Sequence, residues 1–112
     1  MFSAYGMFHF PIGLFLALLL WHLIADFLLQ PQVMADGKRK RGATGIAILA
    51  VHGFIHGVGT GLILGSFWAA LLETGAHATV DWGKCRGYYD LLADQCVHLL
   101  CLGCWVVFMA SL

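Results

Sequence analysis

The apolar stretch that runs from about Phe8 to Gln30 constrains the fold most strongly. Its centre reads Gly-Leu-Phe-Leu-Ala-Leu-Leu-Leu-Trp over residues 13–21. A helix needs ~20 predominantly apolar residues to cross the ~30 Å hydrocarbon core of a bilayer, and this stretch supplies them. Pro31 ends it, because a proline lacks the N–H donor and clashes one turn back. We therefore predict a transmembrane helix over residues 8–30.

Three further apolar segments follow, over residues 44–64, 67–82 and 90–109. The chain as a whole is 61% apolar and 11% charged, whereas soluble domains average ~45–50% and ~25%. The third segment is short for a full span, so it should be little tilted or should thin the bilayer locally. These features predict an all-α membrane protein in which residues 1–112 form one compact bundle of four transmembrane helices.

The six Lys and Arg residues lie in two short runs, Lys38–Arg41 and Lys84–Arg86. The positive-inside rule places both loops in the cytoplasm and both termini outside, with inverted insertion as the alternative. The first run is most simply a topological anchor, although such a run can also bind anionic lipid. Net charge is zero, so nothing suggests a nucleic-acid partner, and membrane lipid is the expected one.

Metal-capable side chains recur four residues apart in all four segments. This spacing stacks two side chains on one helix face, with ~6 Å of rise between them. Glu73 precedes the third pair by a further turn. The pairs are His22 with Asp26, His52 with His56, His77 with Asp81, and Asp94 with His98.

In the predicted topology every pair lies in the cytoplasmic half of its helix. One such pair alone is usually a hydrogen-bonded packing contact, but four at one depth predict a shared metal site formed by all eight residues. A purely hydrogen-bonded polar core or a proton relay is the alternative. Gln30 and Gln95 neighbour the pairs and could orient ligands, or could cap helices at the interface.

The expected cofactor is a divalent metal, with zinc ahead of manganese and iron, as one or two ions. Two divalent ions would balance the four carboxylates of Asp26, Glu73, Asp81 and Asp94. A single ion would leave excess negative charge, to be met by protonation or by Lys84 and Arg86. Structural zinc contributes ~10–16 kcal/mol of apparent binding free energy, which would offset the cost of inserting these carboxylates.

The ordered set of motifs resembles a family of small integral membrane proteins from bacteria and phages, catalogued as a domain of unknown function. The resemblance covers about Leu14 to Leu102. It implies the bacterial inner membrane as location but no activity. A looser similarity links the site to membrane-bound metal-dependent hydrolases, including ceramidase-like enzymes, in site design alone. The motifs are His22-Leu-Ile-Ala-Asp26-Phe-Leu-Leu-Gln30-Pro31, His52-x-x-x-His56, His77-x-x-x-Asp81-Trp-x-Lys84 and Asp94-Gln-x-x-His98.

The leading functional hypothesis is a metal-dependent hydrolase in the cytoplasmic leaflet that acts on lipid headgroup esters or amides. Asp26, Asp81 and Glu73 are the candidate catalytic carboxylates, and Lys84 and Arg86 could hold a substrate phosphate. Three alternatives stay open: a transporter or sensor of metal ions or protons, a non-catalytic metal-stabilised scaffold or phage accessory protein, and, last, a di-iron oxidase.

Gly53, Gly57 and Gly61 form a small-residue ridge on the second segment. Such ridges let helix backbones approach closely in lipid. The ridge is expected to pack within the chain or between the subunits of a homo-oligomer. Trp21, Trp82 and Trp105 are most simply packing residues or residues of the lipid interface.

Overall fold

The computed structural model describes residues 11–111, in which all regular secondary structure is helical and no strand is found. Helix α1 spans Pro11–Leu23 and continues directly into a π-helical turn at Ile24–Leu28. The other helices are α2 (Gln32–Gly37), α3 (Ala43–Leu64), α4 (Phe67–Cys85) and α5 (Leu91–Ala110). The expected start of the first helix at residue 8 lies outside the described residues.

Within residues 11–111, three stretches are long and apolar enough to cross a membrane: Pro11–Leu28, Ala43–Leu64 and Leu91–Ala110. They coincide with the first, second and fourth predicted segments to within two residues at each described end. Helix α4 has 19 residues, but the charged residues Glu73, Asp81 and Lys84 lower its mean hydropathy. The all-helical fold is therefore confirmed, and three of its helices are suited to membrane insertion.

A short helix, α2, occupies the first half of the segment that we expected to be a loop. Pro31 precedes it in an extended conformation, and the Pro31 carbonyl accepts hydrogen bonds from Met34 and Ala35. With only six residues, α2 is too short to show a helical period in the sequence. Lys38 directly follows the last residue of α2, and its side chain is buried in the bundle.

The glycine ridge of α3 packs against α4 of the same chain. A Cβ atom added at Gly53 would lie 2.7 Å from the Thr74 carbonyl, and one at Gly61 would lie 2.5 Å from the Ala70 side chain. This close approach explains why α3 and α4 form the most extensive helix pair. The ridge is covered within the subunit, and a homo-oligomer formed through it stays a prediction that the single chain does not test.

The bundle interior is divided along its length into an apolar half and a polar half. Leu14 and Leu18 of α1 pack with buried apolar residues of α3, α4 and α5, among them Leu64, Ala69 and Leu102. One turn beyond Leu18, the same face of α1 carries His22, and buried side chains become polar from there. The polar half is the candidate site.

Candidate metal centre

Four side chains from α1, α3 and α4 converge on one point in the polar half. Asp26 Oδ1 lies 3.0 Å from His52 Nε2, 2.9 Å from His56 Nε2 and 3.8 Å from His77 Nε2. One ligand atom from each of the four lies within 4.8 Å of those of the other three. The three imidazoles are at most 2% exposed. These residues, called the metal cluster below, form a buried group that could hold a metal ion.

The local helix geometry explains how this cluster forms. His52 and His56 are one turn apart on the face of α3 that is turned toward the bundle axis, and His77 faces them from α4. Asp26 lies in the π-helical turn that extends α1, and single π-helical turns occur frequently at functional sites. Asp26 and His22 still meet, with 3.4 Å between Oδ2 and Nε2.

The imidazole rings stack across the bundle. The His77 ring lies between those of His56 and His98, with centroids 3.5 and 4.0 Å away and interplanar angles of 16° and 17°. Stacked imidazolium cations would repel one another at such distances in a medium of low dielectric constant. Two adjacent rings of the stack are therefore not both charged, and neutral imidazole is the form that binds metals.

Several buried nitrogens of the cluster have no hydrogen-bond partner among the described residues: both ring nitrogens of His77 and Nδ1 of His52. Leaving such a group unsatisfied costs ~1–3 kcal/mol. Ligand atoms on a tetrahedral zinc ion, each ~2.0–2.1 Å from the metal, lie ~3.3 Å from one another. The three distances to Asp26 Oδ1 lie on both sides of that value, and the donor set could hold a metal ion.

Gln95 connects the metal cluster to the fourth predicted pair. Its Nε2 donates to Asp26 Oδ2 at 3.0 Å and to Asp94 Oδ2 at 3.2 Å, while its Oε1 lies 3.0 Å from His22 Nε2. Gln95 thus binds the carboxylate oxygen of Asp26 that His52 and His56 do not contact, as expected of a residue that orients a ligand. Gln30 contacts only the backbone carbonyl of Asp26.

The remaining predicted ligands surround the cluster rather than complete it. His98 Nε2 lies 3.2 Å from Asp94 Oδ1. Asp81 Oδ2 is 3.9 Å from His52 Nε2, but its close partners are two lysines. Lys38 Nζ lies 2.5 Å from Asp81 Oδ2, and Lys84 Nζ lies 3.1 Å from Asp81 Oδ1 and 3.7 Å from Asp94 Oδ2.

Lys38 is the functional residue that the sequence did not reveal. It is 2% exposed, although its place in the Lys-Arg run indicated a solvated topological anchor. Nothing local distinguishes Lys38 from its neighbours, since only the docking of α2 decides which lysine points inward. Three residues of that run, Arg39, Lys40 and Arg41, are exposed as expected.

The family described as Protein of unknown function (DUF3307) matches residues 14–111. The chain belongs to this family. The match includes all four His and Asp pairs and confirms the resemblance drawn from the motifs, as far as an uncharacterised family is concerned. No curated protein and no solved structure matches the chain.

Two further predicted positions of this DUF3307 chain lie away from the metal cluster. Glu73 is buried, and its Oε2 accepts a 2.8 Å hydrogen bond from Trp105 Nε1. Arg86 Nη2 donates to the Arg39 carbonyl at 2.7 Å, whereas Lys84 points into the core. The structure therefore does not bring Lys84 and Arg86 together on a common partner.

Proposed function

We propose that the protein is a membrane-embedded metal-dependent hydrolase that holds one divalent ion, zinc in the first instance, in the metal cluster. The observation that carries the proposal is the convergence of three buried imidazole Nε2 atoms on the Asp26 carboxylate. Three histidines with an adjacent carboxylate are a donor set suited to zinc. The proposed substrates are lipid headgroup esters or amides.

Charge balance supports a single ion. The polar half buries four carboxylates, those of Asp26, Glu73, Asp81 and Asp94. It also holds two ammonium groups, of Lys38 and Lys84, against two of those carboxylates. With neutral imidazoles, two negative charges are left over, and one divalent ion would cancel them. A second ion would leave the core with two excess positive charges, which are costly in low dielectric.

A bound divalent ion would lower the pKa of a coordinated water to about 7 and would polarise a carbonyl or phosphoryl oxygen. His52, His56 and His77 would hold the ion. Gln95 fixes the Asp26 carboxylate, so that it can serve as the fourth ligand or accept a proton. Asp81, anchored by Lys38 beside His52, is the second carboxylate in reach and holds negative charge at the rim of the cluster.

Helix α4 supports a fourth membrane span despite its charges. Glu73, His77 and Asp81 are buried in the bundle, and the partly buried Lys84 is held against Asp81. Phe67, Trp68 and Leu72, on other faces, are at least 61% exposed. The surface that α4 offers to its surroundings is therefore apolar. In the proposed arrangement four helices span the bacterial inner membrane, both basic loops are cytoplasmic, and the cluster lies in the cytoplasmic leaflet, next to lipid headgroups.

The decisive experiment measures metal content and lipid turnover on the same preparation. Full-length protein purified in detergent is freed of metal, reloaded with zinc or manganese, and incubated with lipids that carry ester-linked or amide-linked headgroups. We expect one ion per chain and turnover that is lost in His77→Ala, which removes a ligand. Thr79→Ala, an exposed change on the same helix, is the matched control and should retain both properties.

Three outcomes would reject the enzyme. If the ion binds but no lipid class is turned over, the ion stabilises a non-catalytic scaffold. If proteoliposomes accumulate the ion and His77→Ala abolishes that uptake, the cluster belongs to a transport path. Absence of any bound ion would leave a hydrogen-bonded polar core, and would remove the metal site itself.

A further inference from the structure

A second site lies outside the metal cluster, at the junction of the α2–α3 loop with the end of α4. A cavity of ≈ 210 Å³ there is lined by both cationic and apolar side chains. This cavity, called the basic pocket below, is smaller than the ~300–1,000 Å³ pockets that enclose drug-sized ligands. Its cationic residues are Lys40, Arg41 and Arg86, and its apolar residues include Ile46, Leu49 and Trp82.

No acidic side chain among the described residues neutralises the positive charge of the basic pocket. None of the ion pairs formed within residues 11–111 includes Lys40, Arg41 or Arg86. Lys40 and Arg41 are exposed. This contrasts with Lys38 and Lys84, whose ammonium groups are both held against buried aspartates. Three uncompensated cations around one cavity provide a site for an anion.

The Arg86 side chain is held in place in the basic pocket by hydrogen bonds. Its Nη2 donates to the carbonyls of Arg39 and Lys40, at 2.7 and 3.5 Å, which ties the loop to the end of α4. Its buried Nε has no hydrogen-bond partner among the described residues. A guanidinium group has five N–H donors, so donors remain for a ligand, and guanidinium geometry matches phosphate oxygens.

The apolar lining of the basic pocket bears on the kind of anion that would bind there. Ile46 is 63% and Trp82 40% exposed, and Ile46 lies in the first turn of the candidate membrane span Ala43–Leu64. Tryptophan is enriched where a membrane meets water. A ligand in the basic pocket would therefore place its anion against the three cations and its apolar part along an exposed, membrane-facing surface.

We infer that the basic pocket binds the headgroup phosphate of an anionic phospholipid, independently of the reaction proposed for the metal cluster. A phospholipid has the required combination of a negative headgroup and an apolar tail, and basic pockets between membrane helices bind such headgroups. The site is separate from the metal cluster in its residues, and it uses three of the four cations of the chain that are not engaged with buried aspartates.

Lipid binding to the full-length protein in neutral detergent tests this inference. Native mass spectrometry titrations compare phosphatidylglycerol with phosphatidylcholine for wild type, Arg41→Gln and the matched control Arg39→Gln. Arg39 lies in the same loop and is exposed, but its side chain does not line the cavity. We expect Arg41→Gln to weaken phosphatidylglycerol binding about fivefold, and Lys40→Gln/Arg41→Gln about 25-fold, from ~1 kcal/mol per basic residue.

Arg39→Gln should leave the affinity unchanged. If Arg39→Gln and Arg41→Gln weakened phosphatidylglycerol binding equally, the affinity would depend on the total charge of the loop and not on the basic pocket, and the site would be overturned. Equal affinity for phosphatidylcholine would overturn anion selectivity. Displacement of the lipid by excess inorganic phosphate would show that the pocket takes a free anion and not a lipid. None of these binding measurements depends on lipid turnover, so they test the lipid site separately from the proposed hydrolase.

Discussion

Lys38 Nζ lies 2.5 Å from Asp81 Oδ2, and both side chains are buried although 43 residues separate them in the chain. The lysine comes from a run of four basic residues at the edge of the bundle. It enters the core because the ion pair with Asp81 offsets the cost of desolvating an ammonium group. This contact joins the α2–α3 loop to the helix that carries His77.

Replacing Lys38 by methionine should destabilise the protein, because it leaves Asp81 buried with one cation fewer. Breaking a buried ion pair from one side costs about 3–5 kcal/mol. We expect the free energy of unfolding in detergent micelles, measured by denaturant titration, to fall by that amount. Arg39→Met, an exposed neighbour, is the control and should change it by less than about 0.5 kcal/mol.

A double variant separates charge from packing. Lys38→Met/Asp81→Leu replaces the whole pair by apolar side chains, which is often neutral or stabilising. We expect it to recover most of the stability that Lys38→Met loses. If Lys38→Met is no more harmful than Arg39→Met, the buried contact does not contribute to stability as described.

The helices were largely predictable because their apolar lengths and breaks are local signals. The second segment is predicted at 44–64 and is found at Ala43–Leu64, and the fourth is predicted at 90–109 and is found at Leu91–Ala110. Helix α4, which corresponds to the third predicted segment, ends at Cys85, three residues beyond the predicted end at residue 82. This extra turn keeps Lys84 in helical register with Asp81, so Lys84 joins the core instead of the basic loop.

The composition of the site was predictable only in part. Four-residue spacing identified the ionisable faces, and all eight predicted ligands are found in or around the polar half. Which four converge is decided by the rotation of the π-helical turn around Asp26 and by the close approach of α3 to α4. Both are properties of packing. The same holds for Lys38, whose burial depends on α2 and has no signature in the sequence.

The charge of the polar half predicts one divalent ion per chain. Elemental analysis of detergent-purified protein should give a metal-to-chain ratio near one for wild type. Asp26→Asn should lower this ratio toward zero, because Asp26 is the carboxylate on which the three imidazoles converge. A ratio of two in wild-type protein would contradict the charge balance, and would require either protonated lysines to leave the core or a second ligand set.

Gln95 should act on metal affinity without touching the ion. Its side chain holds Asp26 Oδ2 and lies against His22, and loss of such a supporting contact typically weakens metal binding by about 10–100-fold. We expect Gln95→Ala to raise the zinc dissociation constant by this factor in a competition titration with a chelator. Gln32→Ala is the control, since Gln32 is exposed and bonds only to Asp36. Equal affinities in the two variants would exclude the supporting role.

Glu73 should be dispensable for metal binding. It lies one helical turn from His77, but its carboxylate is engaged by Trp105 on α5 and is not part of the metal cluster. We expect Glu73→Gln to keep one ion per chain with unchanged zinc affinity, whereas His77→Ala on the same helix loses the ion. Loss of the ion in Glu73→Gln would return Glu73 to the ligand set considered from the sequence.

The α3–α4 contact predicts opposite effects for two glycine-to-alanine substitutions. At Gly57 a Cβ would lie 2.0 Å from Thr74 Oγ1 and 2.5 Å from the Ala70 carbonyl, so the helices would have to separate. Overpacking of this kind costs about 1–3 kcal/mol. At Gly75, on α4, nothing lies within 4 Å of the added Cβ, and alanine gains up to about 1 kcal/mol in helix propensity. Denaturant titration should therefore show Gly57→Ala less stable and Gly75→Ala at least as stable as wild type.

Gly57→Ala should also weaken zinc binding, because the α3–α4 contact positions His52, His56 and His77. Zinc affinity is measured by competition with a chelator. Unchanged zinc affinity in a destabilised Gly57→Ala would show that the metal cluster does not depend on the close approach of the two helices.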